Sequence, residues 1–588
     1  MPSSLSIFSA LGLFSLCRAL NLCPGVPPTG NCNENRFQSI LQKYNATIET
    51  INSTIASLGT GCFGEDISNN IFYGYCPTAQ VSERGFPACN YAEFLPPSCA
   101  VIVKMDSYRF GLIMPEEQNY TGSFMATGGF SFAGGINWRE MWAGAYYYGM
   151  AVMSTDQGHR GEQPDLRWAK DNPRARDDWG YRALNGSIPV AKDFITAYYG
   201  KNISHSYFAG CSTSGRQGLK QLEIDPTSFD GLLIGAPALD QEHLMPWVAK
   251  LADIDPPDTE RTVPDSPSQR QFIVDGVRRG CDAKDGVVDD VIMNTTACNI
   301  ADVAATLGCN VNHNPLCLTQ AQINTLVELH QNYTVNTNGT TRDVYPGPEP
   351  GAEDNLFVFV DPSPGPYAAA AKPFGFDWQW PIDFLNGYGY GYNYTDKIVS
   401  DAESQRPGMP SPRVNNTKWA DFHHRGGKVM MYHGLADGTI PTKSSAVYFD
   451  AVKEVASDRD DFMLYYQVPG MHHCFFSDSL DANQNPLTPQ YTNTAPWYFS
   501  GATQGSAALA YTEKVKQLVT NASSDMFTAL INWVEHPEEK PHGIVATTFH
   551  VVPQSPGYYA QRPVCPYPQV AEYDGTGVTN LTTSWKCP

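Results

Sequence analysis

The chain has 588 residues, of which 42% are hydrophobic and 17% charged, with 50 Gly and 44 Pro. That composition belongs to an ordered, turn-rich globular protein with a large core and excludes disorder as the main theme, while the length alone suggests about three or four domains. A formal net charge of −21 would repel phosphate backbones and argues against a nucleic-acid partner.

Residues 1–19 form an apolar run ending in small residues, which reads as a secretory signal peptide cleaved near Ala19, although no Lys or Arg precedes Leu5. No later stretch is apolar enough to span a bilayer. Removing Cys17 from the fifteen cysteines leaves fourteen, an even set that suits disulfides in an oxidising compartment. Asn45, Asn119, Asn202, Asn332, Asn393 and Asn521 each head an Asn-x-Ser/Thr triplet open to glycosylation there. Together these features predict a secreted glycoprotein.

Short β-branched or aromatic runs bounded by Gly, Pro or Asp follow in order: "AVIVKM", "SFMATGG", "GMAVMSTD", "SYFAG", "GLLIGA", "KVMMYHG" and "DFMLYYQVPG". Helical text separates several of them, as at Pro189 to Tyr199 and Gly215 to Glu223, so the pattern predicts an α/β fold with a largely parallel sheet covered on both faces. The alternation breaks after "GLLIGAPALD" and resumes at "GGKVMMYHG". The core therefore divides into residues 20–240 and 426–588, with residues 241–425 inserted as a Pro-, Gly- and aromatic-rich lid.

"GCSTSGRQG" follows the strand "SYFAG" and precedes a helix, which is the strand–turn–helix setting of a G-x-S-x-G nucleophile elbow. The second glycine is replaced by Ser214. Placing the nucleophile at Ser214 instead would set Arg216 two positions on and packs worse, so Ser212 is the candidate nucleophile. A serine hydroxyl needs a base, and that base an orienting acid, in the chain order Ser, Asp, His. Asp437 lies beyond the strand of "KVMMYHGLADGTIP", and His472 and His473 beyond that of "DFMLYYQVPGMHHC". His433 precedes the acid and is placed behind it rather than as the base. Cys211 directly precedes Ser212 and Cys474 directly follows His473. A bridge between them would tie elbow to histidine loop and favours His473 over His472; the alternative is two buried thiols. For the oxyanion, the Thr213 N–H and those of Gly128 and Gly129 in "ATGGFSFAGG" are the expected donors.

With these motifs in order, "TGGFSFAGGINW", "AVMSTDQGHRG", "YFAGCSTSGRQGLKQLEIDPTSFDGLLIGAPA", "CDAKDGVVDDVI", "YHGLADGTIP" and "VPGMHHC", the chain resembles the secreted fungal tannase and feruloyl esterase family. The resemblance implies an α/β-hydrolase core with a large lid, a Ser212–Asp437–His473 triad, and a disulfide joining Cys211 to Cys474. It departs from the family at Ser214, where glycine is usual. It also implies a structural Ca²⁺ site of Asp282, Asp285 and Asp289 around Gly286, with the carbonyls of Val287 and Val291, beside a Cys281–Cys298 bridge. The residues alone would read as a solvated acidic turn, since the spacing is shorter than an EF-hand loop and lacks its distal Glu.

The triad implies acyl transfer from an ester to water, and the resemblance implies esters of phenolic acids, gallate or ferulate, with an acyl pocket drawn from aromatic text such as "FDWQWPIDF", which equally suits the core of a lid. The substrate would be a small-molecule or polysaccharide-linked ester. A binding protein on a hydrolase scaffold and a peptidase of the same fold are the other readings. Neither membrane nor nucleic acid is an expected partner, and the sequence leaves oligomeric state open.

Overall fold

The computed structural model describes residues 30–54, 97–160, 166–252, 254, 262–264, 266–289, 291–337, 339–353, 356, 395–405, 411–414, 416–474, 520–549 and 558–588. The signal segment with Cys17, the sequon at Asn393 and the "FDWQWPIDF" run lie outside them.

A nine-stranded sheet organises the molecule, in the order β1-β2-β3-β5-β4-β6-β7-β10-β11. Its strands are β1 (Thr47–Thr54), β2 (Ser98–Lys104), β3 (Arg109–Pro115), β4 (Phe124–Ala126), β5 (Ala151–Thr155), β6 (Ser206–Cys211), β7 (Gly231–Gly235), β10 (Lys428–Gly434) and β11 (Met463–Val468). From β5 onward every neighbouring pair runs parallel. The pairs β1/β2, β2/β3 and β3/β5 are antiparallel. The mixed sheet with helices on both faces is the expected α/β-hydrolase architecture, with an antiparallel edge of which the strand list included only β2.

Alternation along each strand sorts side chains into two layers. On β10, Met430 and Tyr432 join one core with helices α1 (Trp138–Tyr148) and α9 (Met526–Glu535), while Val429 and Met431 join the other with α2 (Ala183–Tyr199) and α3 (Thr213–Ile224). Helix α2 begins six residues before the predicted Pro189 start and runs through that proline. A proline in a helix interior costs about 3 kcal/mol, yet Leu184, Ile188, Ala191, Phe194 and Ile195 keep one continuous buried stripe across it, and that packing outweighs the lost backbone bond.

Between β7 and β10 the chain leaves the sheet and builds a third core of its own, from α4 (Gln241–Ala252), α5 (Pro267–Cys281), α6 (Gln320–Leu329), the hairpin β8 (Tyr333–Thr337) with β9 (Thr340–Tyr345), and α7 (Lys397–Ser404). Phe132, Trp179 and Ile440 join it from the sheet side, so the insertion packs on loops at the sheet's C-terminal edge. After β11 come α9 and an antiparallel pair, Ile544–Phe549 with Tyr558–Val564.

All ten described cysteines are paired: Cys32–Cys99, Cys211–Cys474, Cys281–Cys298, Cys309–Cys317 and Cys565–Cys587. The described sequon asparagines Asn45, Asn119, Asn202, Asn332 and Asn521 are exposed. Among the described residues no helix is long and apolar enough to cross a membrane.

One clamp in the insertion has a calculable pH response. His243 on α4 places Nδ1 2.7 Å from Asp240 Oδ2 and Nε2 2.8 Å from Glu403 Oε1 on α7, and Arg342 of β9 binds the same Glu403. Burial alone would lower the His243 pKa, but hydrogen bonds and charge from Asp240 and Glu403 outweigh it and raise it above its ordinary 6.5. A histidine raised on folding stabilises fully below its unfolded pKa and loses that contribution as pH climbs through the folded value. The melting temperature should therefore fall as pH rises past about 6.5, and His243→Gln should flatten that part of the profile in a thermal-denaturation series.

Candidate active site

Strand β6 ends at Cys211, and Ser212 turns the chain into α3. Ser212 has φ 61° and ψ −125°, a conformation that a side chain adopts only under strain. The turn is held on both sides. Ser212 N–H donates to Gly235 O at 2.9 Å, and Ser212 O accepts from Arg216 and Ala238 N–H, both at 3.0 Å. The hydroxyl-bearing residue is thereby fixed at the C-terminal edge of the sheet, where ligands meet open α/β sheets. Thr213 is the first residue of α3, so its N–H has no carbonyl within the helix to bond.

The loop after β10 carries the acid. Asp437 is fully buried; its Oδ1 accepts from Thr439 and Ile440 N–H at 2.9 and 2.8 Å, and its Oδ2 lies 2.7 Å from His473 Nδ1. His433 Nε2 reaches the same Oδ2 at 3.0 Å and Ile440 O at 2.8 Å, and its Nδ1 lies 2.8 Å from Ser445 Oγ. Burial would raise the Asp437 carboxyl, but the charge of His473 and hydrogen bonds from both imidazoles hold it well below the usual carboxylate range. His433 therefore stands behind the acid, as its place in the sequence predicts, and it is His473 rather than His472 that faces Asp437.

The Cys211–Cys474 disulfide, with Cα atoms 5.8 Å apart, links the residues next to Ser212 and His473. Serine and histidine are thus drawn to one place although 260 residues of sequence lie between their loops. Among the described residues no hydrogen bond joins Ser212 to His473, a contact that in ligand-free hydrolases often tightens only around substrate.

The expected role of Gly128 and Gly129 needs correction. Gly128 N–H donates to Ser214 Oγ at 2.8 Å and Gly129 N–H to Gln217 Oε1 at 3.1 Å. Side chains one turn apart on α3 thus occupy both amides, and neither points at an open oxyanion position. Gln217 is held in turn through its Nε2, which donates to Trp179 O at 2.7 Å and Gln157 Oε1 at 3.1 Å. Ser214, Gln217, Gln157 and Ser445 are participants that sequence reasoning missed. The one available signal was the serine in place of the elbow's second glycine.

The acidic loop of the insertion is built mainly by its own backbone. Both Asp282 oxygens accept from Asp289 N–H, at 3.2 and 3.1 Å, and Asp285 accepts from Val287 and Met293 N–H at 3.0 and 2.8 Å. Asp289 accepts from Val291 N–H at 3.2 Å and pairs with Arg562. Among the described residues no three Asp, Glu, His or Cys side chains converge as a metal cage requires. In kind the donors are the carboxylate and carbonyl oxygens that a hard cation takes, and burial, with repulsion from Asp289 and Asp282, raises the Asp285 pKa above its ordinary range.

Comparison with known proteins follows this geometry. The family model described as tannase and feruloyl esterase matches residues 101–360 and 390–588. The chain is similar to a probable feruloyl esterase B-1 of Neosartorya fischeri, 28% identical over 476 residues, 80% of this chain and 81% of that protein. It is also similar to a probable feruloyl esterase B-2 of the same organism, 27% identical over 504 residues, 83% of this chain and 86% of that one. Among solved structures, an esterase from Aspergillus oryzae superposes with a TM-score of 0.75 at 23% identity, covering 95% of this chain and 100% of its own. Feruloyl esterase B from Aspergillus oryzae gives 0.73 at 23% identity, covering 95% and 99%. At that identity the two structures establish the shared fold.

The disulfide closes a loop of 263 residues. Replacing both Cys211 and Cys474 by alanine should lower unfolding stability by about 2–5 kcal/mol, measured by denaturant titration. Non-reducing peptide mapping should recover the two cysteines in one linked peptide; finding Cys211 as a free thiol would refute the tether.

Proposed function

The chain belongs to the tannase and feruloyl esterase family and is a carboxylic ester hydrolase of phenolic acid esters, and we propose that it works through Ser212, His473 and Asp437. The observation that carries this reading is the His473 Nδ1–Asp437 contact of 2.7 Å, tethered through Cys211–Cys474 to a strained serine. With Nδ1–H committed to the carboxylate, the Nε2 of His473 is the nitrogen left to accept a proton.

Ser212 Oγ attacks the ester carbonyl while His473 Nε2 takes its proton, and Asp437 stabilises the imidazolium that forms. Negative charge moves to the carbonyl oxygen, where the Thr213 N–H at the start of α3 can donate. Collapse breaks the bond to the alcohol, which leaves with the proton from His473. Water then attacks the acyl-enzyme, His473 accepts its proton, and the acid departs as Ser212 regains its hydrogen. Galloyl and feruloyl esters both meet this chemistry, and secretion accords with the paired cysteines and exposed sequons.

Ser212→Ala should reduce hydrolysis of methyl ferulate and methyl gallate by roughly 10³-fold or more while the protein stays folded. Rates on the two esters, measured side by side, identify the preferred acyl group. Activity within tenfold of the parent would refute Ser212 as nucleophile.

Calcium is proposed as a structural ion, held by Asp282, Asp285 and Asp289 with the carbonyls of Val287 and Val291. When bound it would offset the charge of Asp282 and Asp285 beside Asp289, which Arg562 already pairs, and take no part in the ester chemistry. An ion that binds only the folded state stabilises by about 2.7 kcal/mol at a hundredfold excess over its Kd. Chelator should therefore lower the melting temperature and added Ca²⁺ restore it. No shift with either, or catalysis lost on chelation at unchanged thermal stability, would overturn this assignment.

A further inference from the structure

We propose that Ser214, the residue standing where the elbow motif has its second glycine, is a positioning residue for ester hydrolysis, its hydroxyl tying the loop after β4 to the elbow. The inference rests on the ester hydrolase reading with Ser212 as nucleophile. Strand β4 pairs in parallel with β6, Ala126 lying opposite Phe208, so the loop that follows β4 emerges beside the end of the strand that carries Ser212. Ser214 is buried on the first turn of α3 and accepts from Gly128 N–H at 2.8 Å. The space it fills is closely defined. A Cβ on Gly210 would stand 2.0 Å from Ser214 Oγ, and one on Gly128 would stand 2.7 Å from it. The hydroxyl is thus wedged between the last turn of β6 and the loop, reaching both only because each is glycine there.

The tie is polar, buried and double. One turn further along α3, Gln217 accepts from the next amide, Gly129 N–H, at 3.1 Å. Two successive amides are gripped by two acceptors of one helix, the helix that begins with Thr213, the oxyanion donor of the proposed reaction. Asn137 Nδ2 donates to Gly128 O at 3.2 Å and holds the other side of the same peptide. Loss of the Ser214 acceptor would leave Gly128 N–H buried without its partner and let the loop shift against Ser212 and Thr213. Small displacements of that kind lower turnover far more than they lower stability.

Ser214→Ala and Ser214→Gly separate positioning from mere support. Alanine fills the space without accepting a hydrogen bond, whereas glycine leaves room for a water to take the place of the hydroxyl. Within a helix alanine is the more stabilising of the two by about 1 kcal/mol. Turnover should therefore rank serine, glycine, alanine, and melting temperature should rank alanine above glycine, so the two orders cross. Ser214→Ala should lower kcat on methyl ferulate about tenfold with KM within about twofold. The inference is overturned if Ser214→Ala keeps kcat within twofold, if kcat follows the order of melting temperatures, or if kcat rises because a withheld Gly128 N–H has become an oxyanion donor. Ser212→Ala, assayed in parallel, tests the underlying reading separately: its retention of activity would remove the nucleophile itself, whereas neutrality of Ser214→Ala alone leaves that nucleophile in place.

Discussion

A single buried negative charge organises the site. Asp437 is wholly removed from solvent, and an uncompensated carboxylate there would cost several kcal/mol. Compensation comes from four donors, three of them within four residues of the acid: the amides of Thr439 and Ile440 on one oxygen, His433 and the more distant His473 on the other. Because His433 Nε2 faces two acceptors, Asp437 Oδ2 and Ile440 O, it must carry the hydrogen, and Nδ1 is then left to accept from Ser445 of α8 (Lys443–Val455). The tautomer of a wholly buried histidine is thereby fixed by its neighbours. In turn it keeps Asp437 ionised and directed at His473. The order β7-β10-β11 in the sheet is what allows this, since acid and histidine leave adjacent parallel strands at the same end.

Strain is stored where chemistry is expected and is held by bonds on either side. Ser212 and Cys474 both have positive φ, 61° and 65°; Ser212 adjoins the disulfide and Cys474 is one of its two cysteines. Each such residue costs about 1–3 kcal/mol. A disulfide across this many residues is worth at least as much on the chain-entropy view. The covalent bond therefore suffices to hold both distorted residues in register, and the pair of cysteines is as much a part of the site's geometry as the side chains that flank it.

What the sequence displayed was whatever depends on short-range order. The elbow around Ser212, the loops of Asp437 and His473, and the parallel strands from β4 to β11 each sit in a continuous stretch with a readable period. Strand β3, "RFGLIMP", is as buried as β6, β7 and β10 but is not marked out in the sequence, since it opens on Arg109, whose charge is met by Asp156 from the end of β5, and closes on Pro115. The misassigned role of Gly128 and Gly129 has another origin. Their glycines are visible in sequence, but the acceptors that occupy their amides come from Ser214 and Gln217, 86 and 88 residues away. Likewise nothing in the local sequence shows that one oxygen of Asp289 is paired with Arg562, 273 residues downstream. Pairings made across the fold decide which polar groups are available, and no local pattern carries them.

The insertion belongs to the same mechanical unit as the acid loop. A Cβ on Gly438, next to Asp437, would stand 2.4 Å from both Ala352 O and Leu356 N, so the insertion's backbone lies directly on the loop that presents the acid. The contact is reinforced by Lys443 of α8, whose ammonium lies 3.4 Å from Glu349. Any displacement of Ala352 or Leu356 must then be transmitted to the Asp437 loop, either as a shift of that loop or as a gap beside Gly438. A side chain at position 438 would force the two apart, which makes glycine there a requirement of the contact rather than of the turn, since Gly438 lies outside the positive-φ set.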